Sequence, residues 1–234
     1  MKKKISFFLL LAFLASAVAF QFGSHEKHTK QQFATKLSTD NLLAISWQNA
    51  FCQTHQRKRE CRNVKPSHYS ASHFTLHGLW PQPRNKQNCR GKRKVFLDKA
   101  LYGQLLEVMP AAKSGLQNHE WKKHGTCYGK DQNGYFKDAI YLTKKINNSA
   151  VRDLFNKNLG KTLTKEQIGM AFDKSFGKGA GRKVKMMCSK GLITELQINL
   201  KGKIDSGIAI HELLKNARNA KGGCRKGKVD AVGF

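Results

Sequence analysis

The sequence predicts an α+β fold, in which a central antiparallel sheet is flanked by several helices and cross-linked by disulfides in a single domain. Helical and strand-like hydrophobic patterns follow one another in mixed order, which is typical of α+β proteins. The 234 residues are 40% hydrophobic and include 14 Phe and 3 Trp, enough apolar material for one sizeable core. The one long apolar run lies at the N-terminus. These observations exclude a wholly disordered protein and a polytopic membrane protein.

Residues 1–19 have the pattern of a signal peptide. Lysines follow Met1, an apolar run extends from Ile5 to Val18, and small residues end the segment. We expect cleavage after Ala19, because the apolar run is short for a bilayer-spanning helix; an uncleaved anchor is the alternative. The sequence therefore predicts a periplasmic or secreted protein with no stable membrane insertion after cleavage.

The first part of the mature chain is predicted to supply two strands and two loops. Residues 20–40 form a polar leader, and the apolar residues 41–47 predict a buried strand. Residues 73–80 predict a second strand, which two prolines end. Residues 52–65 and 85–94 are short, basic and loop-like.

The remainder is predicted to be mainly helical before two final strands. Apolar residues recur at helical spacing over residues 96–109, and a proline ends that run. A glycine ends the next predicted helix, residues 114–124. The remaining predicted elements are helices 135–146, 150–158 and 165–176, strands 184–189 and 192–200, and a basic C-terminal segment, 201–234.

The charge of the chain indicates what kind of partner it binds, and its cysteines indicate disulfides rather than a zinc site. The 43 Lys and Arg exceed the 15 Asp and Glu by enough to give a net charge of +28, which points to a polyanionic partner. In an oxidising compartment an even cysteine set predicts disulfides, and the sequence alone leaves their pairing open. No pair has the C-x-x-C spacing of a zinc site. The six cysteines are Cys52, Cys61, Cys89, Cys127, Cys188 and Cys224.

One predicted helix carries four side chains suited to acid–base chemistry. At about 100° per residue, His119, Glu120, Lys123 and His124 share one face. Glu120 and His124 are one turn apart, and a carboxylate beside an imidazole fixes its tautomer and raises its pKa. A nearby lysine stabilises negative charge developing on phosphate oxygens. The alternative is a solvated polar face. The motif is H-E-x-x-x-H rather than the H-E-x-x-H of zinc proteases, so no metal is expected there.

The second predicted strand carries His77, Gly78 and Trp80. Gly78 permits the close approach of a ligand, and the Trp80 ring offers a nucleobase a stacking surface. Strict alternation places His77 and Trp80 on opposite faces, so the strand must bend between Leu79 and Pro81 for both to meet one substrate. The alternative is that His77 is a satisfied core residue.

Together these segments resemble a known family. Residues 77–81, His-Gly-Leu-Trp-Pro, and residues 119–127, His-Glu-x-x-Lys-His-Gly-Thr-Cys, resemble the two active-site segments of the ribonuclease T2 family. Residues 43–52 and 192–198 resemble its first and last strands, so the resemblance spans about residues 42–200. Members are secreted or periplasmic α+β endoribonucleases, and the signal peptide fits the bacterial periplasmic branch.

The resemblance implies cleavage of single-stranded RNA without a cofactor or metal. Transphosphorylation would leave 2′,3′-cyclic phosphate ends, and a slower hydrolysis would open them to 3′-phosphates. His124 would be the base and His77 the acid, with His119 holding the phosphate and Glu120 and Lys123 supporting the transition state.

The resemblance also implies a base-stacking role for Trp80 and a disulfide pairing. Many members carry an acidic residue where this chain has Gln82, which favours broad base specificity. The implied disulfides are Cys52–Cys61, Cys89–Cys127 and Cys188–Cys224.

Two alternatives to this enzyme remain. One is a non-catalytic basic secreted protein that binds RNA or another polyanion, with incidental histidines. The other is a metal-dependent nuclease, which the scarcity of acidic residues disfavours. For the favoured function we expect RNA as the partner and a monomeric protein.

Overall fold

The structure is a computed structural model that describes residues 36–91 and 94–233. The predicted signal peptide, residues 1–19, and all but the last residues of the predicted leader lie outside the described residues. Among the described residues, no helix is both long and apolar enough to cross a membrane.

Six strands form one sheet in the order β2-β1-β5-β6-β3, and β4 also pairs with β5. All paired strands are antiparallel except β5 and β6, which meet at the single pair Leu192 and Lys228. The predicted α+β fold with a central antiparallel sheet is therefore confirmed. The strands are β1 Asp40–Ser46, β2 Thr75–Pro81, β3 Thr162–Thr164, β4 Val184–Ser189, β5 Leu192–Lys201 and β6 Lys226–Lys228.

Seven α-helices accompany the sheet in the described part of the chain. The predicted helix 165–176 and strand 184–189 have the bounds observed, and a capping box between Thr164 and Gln167 explains the sharp start of that helix. The helices are α1 Gln48–Thr54, α2 Lys99–Val108, α3 Leu116–Lys123, α4 Gln132–Asn147, α5 Ala150–Lys157, α6 Lys165–Phe176 and α7 Ile210–Lys215.

The structure departs from the predicted elements at helix α1 and at strands β3 and β6. Helix α1 extends into the stretch 52–65, which was predicted as a loop, and its residues Gln48, Asn49, Ala50 and Cys52 are buried. Strands β3 and β6 were not predicted, because three residues are too few to show alternation and β6 lies in a Gly- and Lys-rich segment.

The core lies between the helices and one face of the sheet. Leu43 and Ile45 of β1 are fully buried on that face. Trp47, Phe74 and Phe155 pack against one another with ring centroids 4.7–5.2 Å apart, joining the first two strands to α5. The opposite face of the sheet is left for polar side chains, and this is where the candidate site lies.

Three disulfides tie the irregular segments to this framework. They join Cys52 to Cys61, Cys89 to Cys127 and Cys188 to Cys224, the pairs that the family resemblance implies. The second connects the basic loop before α2 to the turn that follows α3. The third connects the C-terminal segment to β4.

Candidate active site

The predicted site residues come from β2 and from the C-terminal end of α3. The Tyr135 hydroxyl of α4 donates to the Leu79 carbonyl at 2.9 Å, fixing β2 against the helical layer. The backbone N–H of Asn88 donates to the carbonyl of Lys123 at 2.8 Å, so the basic loop holds the end of α3. The two predicted active-site segments thereby converge beside β5.

A β-bulge at His77 brings the side chains of β2 together. Ala44 pairs with Gly78 and Ile45 with Leu76, which leaves His77 as an extra residue without a strand partner. The rings of His77 and Trp80 lie 5.1 Å apart, edge to face. The expectation that the strand bends between Leu79 and Pro81 is therefore wrong: the irregularity lies earlier, at His77 itself.

Glu120 occupies the space that Gly78 leaves open. Its side chain is 2% exposed, and its Oε2 accepts a hydrogen bond of 2.7 Å from the Trp80 indole N–H. A Cβ atom at Gly78 would overlap with both Glu120 Oε2 and Trp80 Nε1. The prediction that Gly78 admits a ligand is thus corrected, because the chain's own side chains fill this space. Burial raises the pKa of Glu120, although the nearby charge of His77 opposes the rise.

Two carboxylates approach His77. Its Nδ1 lies 2.6 Å from Glu195 Oε2, and its Nε2 lies 3.8 Å from Glu120 Oε1. Burial alone lowers the pKa of His77, but the hydrogen bond and charge of Glu195, together with the charge of Glu120, outweigh burial and raise that pKa above its ordinary 6.5. His77 is 37% exposed, so it is not a core residue.

Sequence reasoning did not single out Glu195. It lies on β5, whose other face carries the buried Leu196 and Ile198. The polar residues Glu195 and Gln197 alternate with these, which is the one sequence feature that places Glu195 on the open face of the sheet. Because Glu195 is far from both motifs in the sequence, its contact with His77 could not be predicted from them.

His124 differs from its predicted placement. Helix α3 ends at Lys123, and His124 follows it with a non-helical backbone, φ −120° and ψ −49°. Its ring stacks on Trp80 with centroids 5.3 Å apart and is 6% exposed. The expected pairing of Glu120 with His124 is therefore wrong, because Glu120 faces His77 and Trp80 instead.

The electrostatics of His124 are also opposite to the expectation. Burial, followed by the charges of Lys123, His119 and His77, lowers the pKa of His124 to about 3. Its Nδ1 is buried and has no hydrogen-bond partner among the described residues. His124 is therefore a neutral imidazole at ordinary pH.

His77 and His119 lie between two cavities. The larger, of about 460 Å³, is lined on its apolar side by Phe51, Leu76 and Met187. The smaller, of about 190 Å³, is lined by the remaining predicted site residues, Trp80, Glu120, Lys123 and His124. Burial and the neighbouring charge of Lys123 lower the pKa of His119.

The rim of the smaller cavity is polar and basic. Gln82 and Arg84 line it, and Gln82 donates to the Trp80 carbonyl at 3.2 Å. Arg218, from the C-terminal segment, donates to Gln82 Oε1 at 2.7 Å. Within residues 36–91 and 94–233, no group of three or more His, Cys, Asp or Glu side chains is placed to hold a metal ion.

Known proteins with similar sequences are ribonucleases. The model of the ribonuclease T2 family matches residues 40–210. Ribonuclease I of Escherichia coli is 32% identical over 198 residues, covering 68% of this chain and 74% of that protein. Intracellular ribonuclease LX of Solanum lycopersicum is 32% identical over 117 residues, covering 43% of this chain and 46% of that protein.

Solved structures show the same fold. Trichomaglin, described as an S-like ribonuclease, superposes with a TM-score of 0.59 at 18% identity, covering 85% of this chain and all of that one. RNase NT in complex with 5′-AMP gives a TM-score of 0.55 at 21% identity, with 84% of this chain covered and all of that one. Since the family model spans most of the described sequence and agrees with this likeness in fold, the chain belongs to the ribonuclease T2 family of endoribonucleases.

Proposed function

We propose that the protein cleaves single-stranded RNA with broad base specificity by metal-independent transphosphorylation. The 2′-hydroxyl attacks the adjacent phosphorus, the bond from phosphorus to the 5′-oxygen breaks, and the upstream product ends in a 2′,3′-cyclic phosphate. A slower hydrolysis opens this ring to a 3′-phosphate. One observation carries the proposal: two imidazoles, His77 and His124, contact the same indole and have pKa values displaced in opposite directions.

These opposite displacements support a different proton-transfer role for each histidine. His124 is neutral at ordinary pH and accepts the proton of the 2′-hydroxyl. His77, whose pKa Glu195 and Glu120 raise against burial, holds a proton that it donates to the departing 5′-oxygen. The roles reverse in hydrolysis, where His77 takes a proton from water and His124 returns one to the 2′-oxygen.

The remaining side chains support the phosphate. Lys123 stabilises the negative charge that develops on the phosphorane oxygens. His119 lines both cavities, where a ring N–H donates to the phosphate. Glu120 is buried between His77 and Trp80, where its charge also supports protonation of His77.

The cavities suit the nucleotides on either side of the scissile bond. Since His77 and His119 lie between them, a phosphate held there directs one nucleoside toward each cavity. Trp80 remains a candidate stacking surface for a base, although one of its faces packs against the His124 ring. Gln82 carries no charge and is bound to Arg218, which supports broad rather than adenine-directed specificity. The large excess of Lys and Arg that remains after signal-peptide cleavage captures the RNA backbone independently of sequence.

Export and a monomeric state belong to the same proposal. Three disulfides support folding in an oxidising compartment, the periplasm or the exterior. Among the described residues the exposed large hydrophobic side chains are Phe96, Leu159 and Met170. With three such side chains exposed in this part of the chain, little apolar surface is available for a stable dimer, which supports a monomer.

Cleavage in the presence of a chelator tests this function. The protein is incubated in excess EDTA with single-stranded RNA, with DNA of the same sequence and with RNA whose 2′-hydroxyls are methylated. We expect only the unmodified RNA to be cut, and the fragments to carry 2′,3′-cyclic ends, because the reaction needs a free 2′-hydroxyl. Uncut RNA that is retained in a salt-dependent manner would instead identify a non-catalytic binder. Loss of cutting on chelation would identify a metal-dependent nuclease.

The pH profile of the reaction follows from the two histidines. His77 must be protonated, so kcat/KM falls as pH rises through its pKa, which lies above 6.5. His124 must be deprotonated, so its own titration lowers kcat/KM only as pH drops toward about 3. We therefore expect a broad plateau on the acidic side of neutrality, measured with a dinucleoside phosphate. A profile that instead rises with pH through the ordinary histidine range contradicts the assigned roles.

A further inference from the structure

The open face of the sheet places a carboxylate within reach of His77. On β1, Ser46 pairs with Thr75 of β2 on one side and with Glu195 of β5 on the other. Ala44 likewise pairs with Gly78 and Gln197. Ala44 and Ser46 are both small, so a long side chain on β5 crosses over β1 to reach the bulge in β2.

Both oxygens of Glu195 have partners. Oε2 lies 2.6 Å from His77 Nδ1, and Oε1 accepts a hydrogen bond of 2.8 Å from Gln197 Nε2. The Glu195 side chain is 13% exposed and that of His77 is 37% exposed, so water reaches the pair mainly from the His77 side. Because Nδ1 donates to the carboxylate, the proton available for transfer is the one on Nε2, which points toward Glu120 and the site.

Because of the β-bulge, the orientation of the His77 ring depends on its contact with Glu195. His77 lacks a partner residue on β1, so its ring direction depends on side-chain contacts. Those contacts are Glu195 at Nδ1, Glu120 at 3.8 Å from Nε2, and the Trp80 ring. Without Glu195, Nδ1 loses the acceptor that fixes the tautomer of His77, and the ring keeps only its contacts with Glu120 and Trp80.

We propose that Glu195 is a positioning residue of the reaction, which orients His77 through Nδ1 and keeps the transferable proton on Nε2. The inference rests on the proposed function, because it assigns Glu195 a part in the proton transfer made by His77. In the cleavage step the charge of Glu195 retains the proton until the 5′-oxygen departs. In the hydrolysis step its hydrogen bond keeps Nε2 as the nitrogen that accepts a proton.

Other titratable and charged groups also face His77 and contribute to its pKa. Glu120, Lys123 and His119 approach from α3, and His124 from the turn after it. Lys58 and Glu60 line the larger cavity that His77 shares. Unlike these groups, Glu195 makes a hydrogen bond to the His77 ring, so substitution of Glu195 should change the pKa of His77 most directly.

The variant Glu195→Gln tests the inference, because it retains hydrogen-bonding atoms and removes the charge. We expect the pKa of His77, followed by NMR of the ring protons, to fall by about one unit or more. The alkaline limb of kcat/KM should move by the same amount. Activity should therefore fall about tenfold on the alkaline side and change little on the acidic side. Glu195→Ala should lower kcat at every pH, because orientation is lost as well.

Glu212→Gln is the matched control. Glu212 lies 2.9 Å from His211 on the exposed surface of α7, so the same substitution removes a His–Glu pair outside the site. It should leave the pH profile unchanged. If the wild type cuts RNA and Glu195→Gln changes neither the His77 titration nor the alkaline limb, the inference is overturned while the proposed function stands. A wild type that binds but does not cut RNA overturns the proposed function, and the positioning role of Glu195 with it.

Discussion

His124→Ala is expected to lower kcat for RNA cleavage by about 10³-fold, because it removes the neutral imidazole that accepts the 2′-hydroxyl proton. Buried among positive charges, His124 has a pKa of about 3, so it is the group already deprotonated throughout the working range. RNA binding should change little, since the many Lys and Arg side chains that supply it are untouched. The measurements are single-turnover cleavage of a short RNA and, separately, the salt dependence of its binding.

A substrate with an activated leaving group separates the base from the acid. Nitrophenolate departs from phosphorus without a proton, so a uridine 3′-nitrophenyl phosphate needs the base but not the acid. His77→Ala should be strongly impaired on RNA and much less impaired on this substrate, whereas His124→Ala should be impaired on both. His211→Ala, an exposed histidine on α7, is the control. If the two variants show the reverse pattern, the acid and base assignments must be exchanged.

The predicted helices and strands agree with the structure where the hydrophobic pattern of neighbouring residues is long enough to show its period. Helix α6 has a capping box at its start and apolar side chains at helical spacing, and both are properties of neighbouring residues. Strands β3 and β6 have three residues each and form because distant segments pair with them. No periodicity marks such a strand, since its stability comes from tertiary contacts.

In the site, too, some features depend on neighbouring residues and others on segments that are distant in the sequence. Its residue types were predictable from the motifs, but their geometry was not. A helical projection places His124 on one face with Glu120 only if the helix continues, and α3 ends one residue before it. The bulge at His77 depends on register with β1, and the contact with Glu195 depends on β5. The pKa of each histidine is therefore a tertiary property.

Gly78→Ala is expected to lower kcat by about 10²-fold while the protein remains folded. An added Cβ overlaps with Glu120 Oε2 and with Trp80 Nε1, so it displaces both partners of the hydrogen bond that organises the site. The backbone of Gly78 does not have a positive φ, so the need for glycine here comes from space rather than from conformation. Overpacking of this kind typically costs about 1–3 kcal/mol of stability, which a thermal melt would show as a modest fall in Tm.

The chain offers a matched control for this substitution. Gly103 lies inside α2, where an added Cβ meets nothing within 4 Å, so Gly103→Ala should be neutral or stabilising by up to about 1 kcal/mol and leave kcat unchanged. Wild-type kcat in Gly78→Ala would show that Glu120 and Trp80 can shift without cost to the reaction, and that their hydrogen bond is structural. A low kcat with a small change in Tm would show instead that the reaction depends on where that buried carboxylate is held, because the same displacement moves it relative to His77.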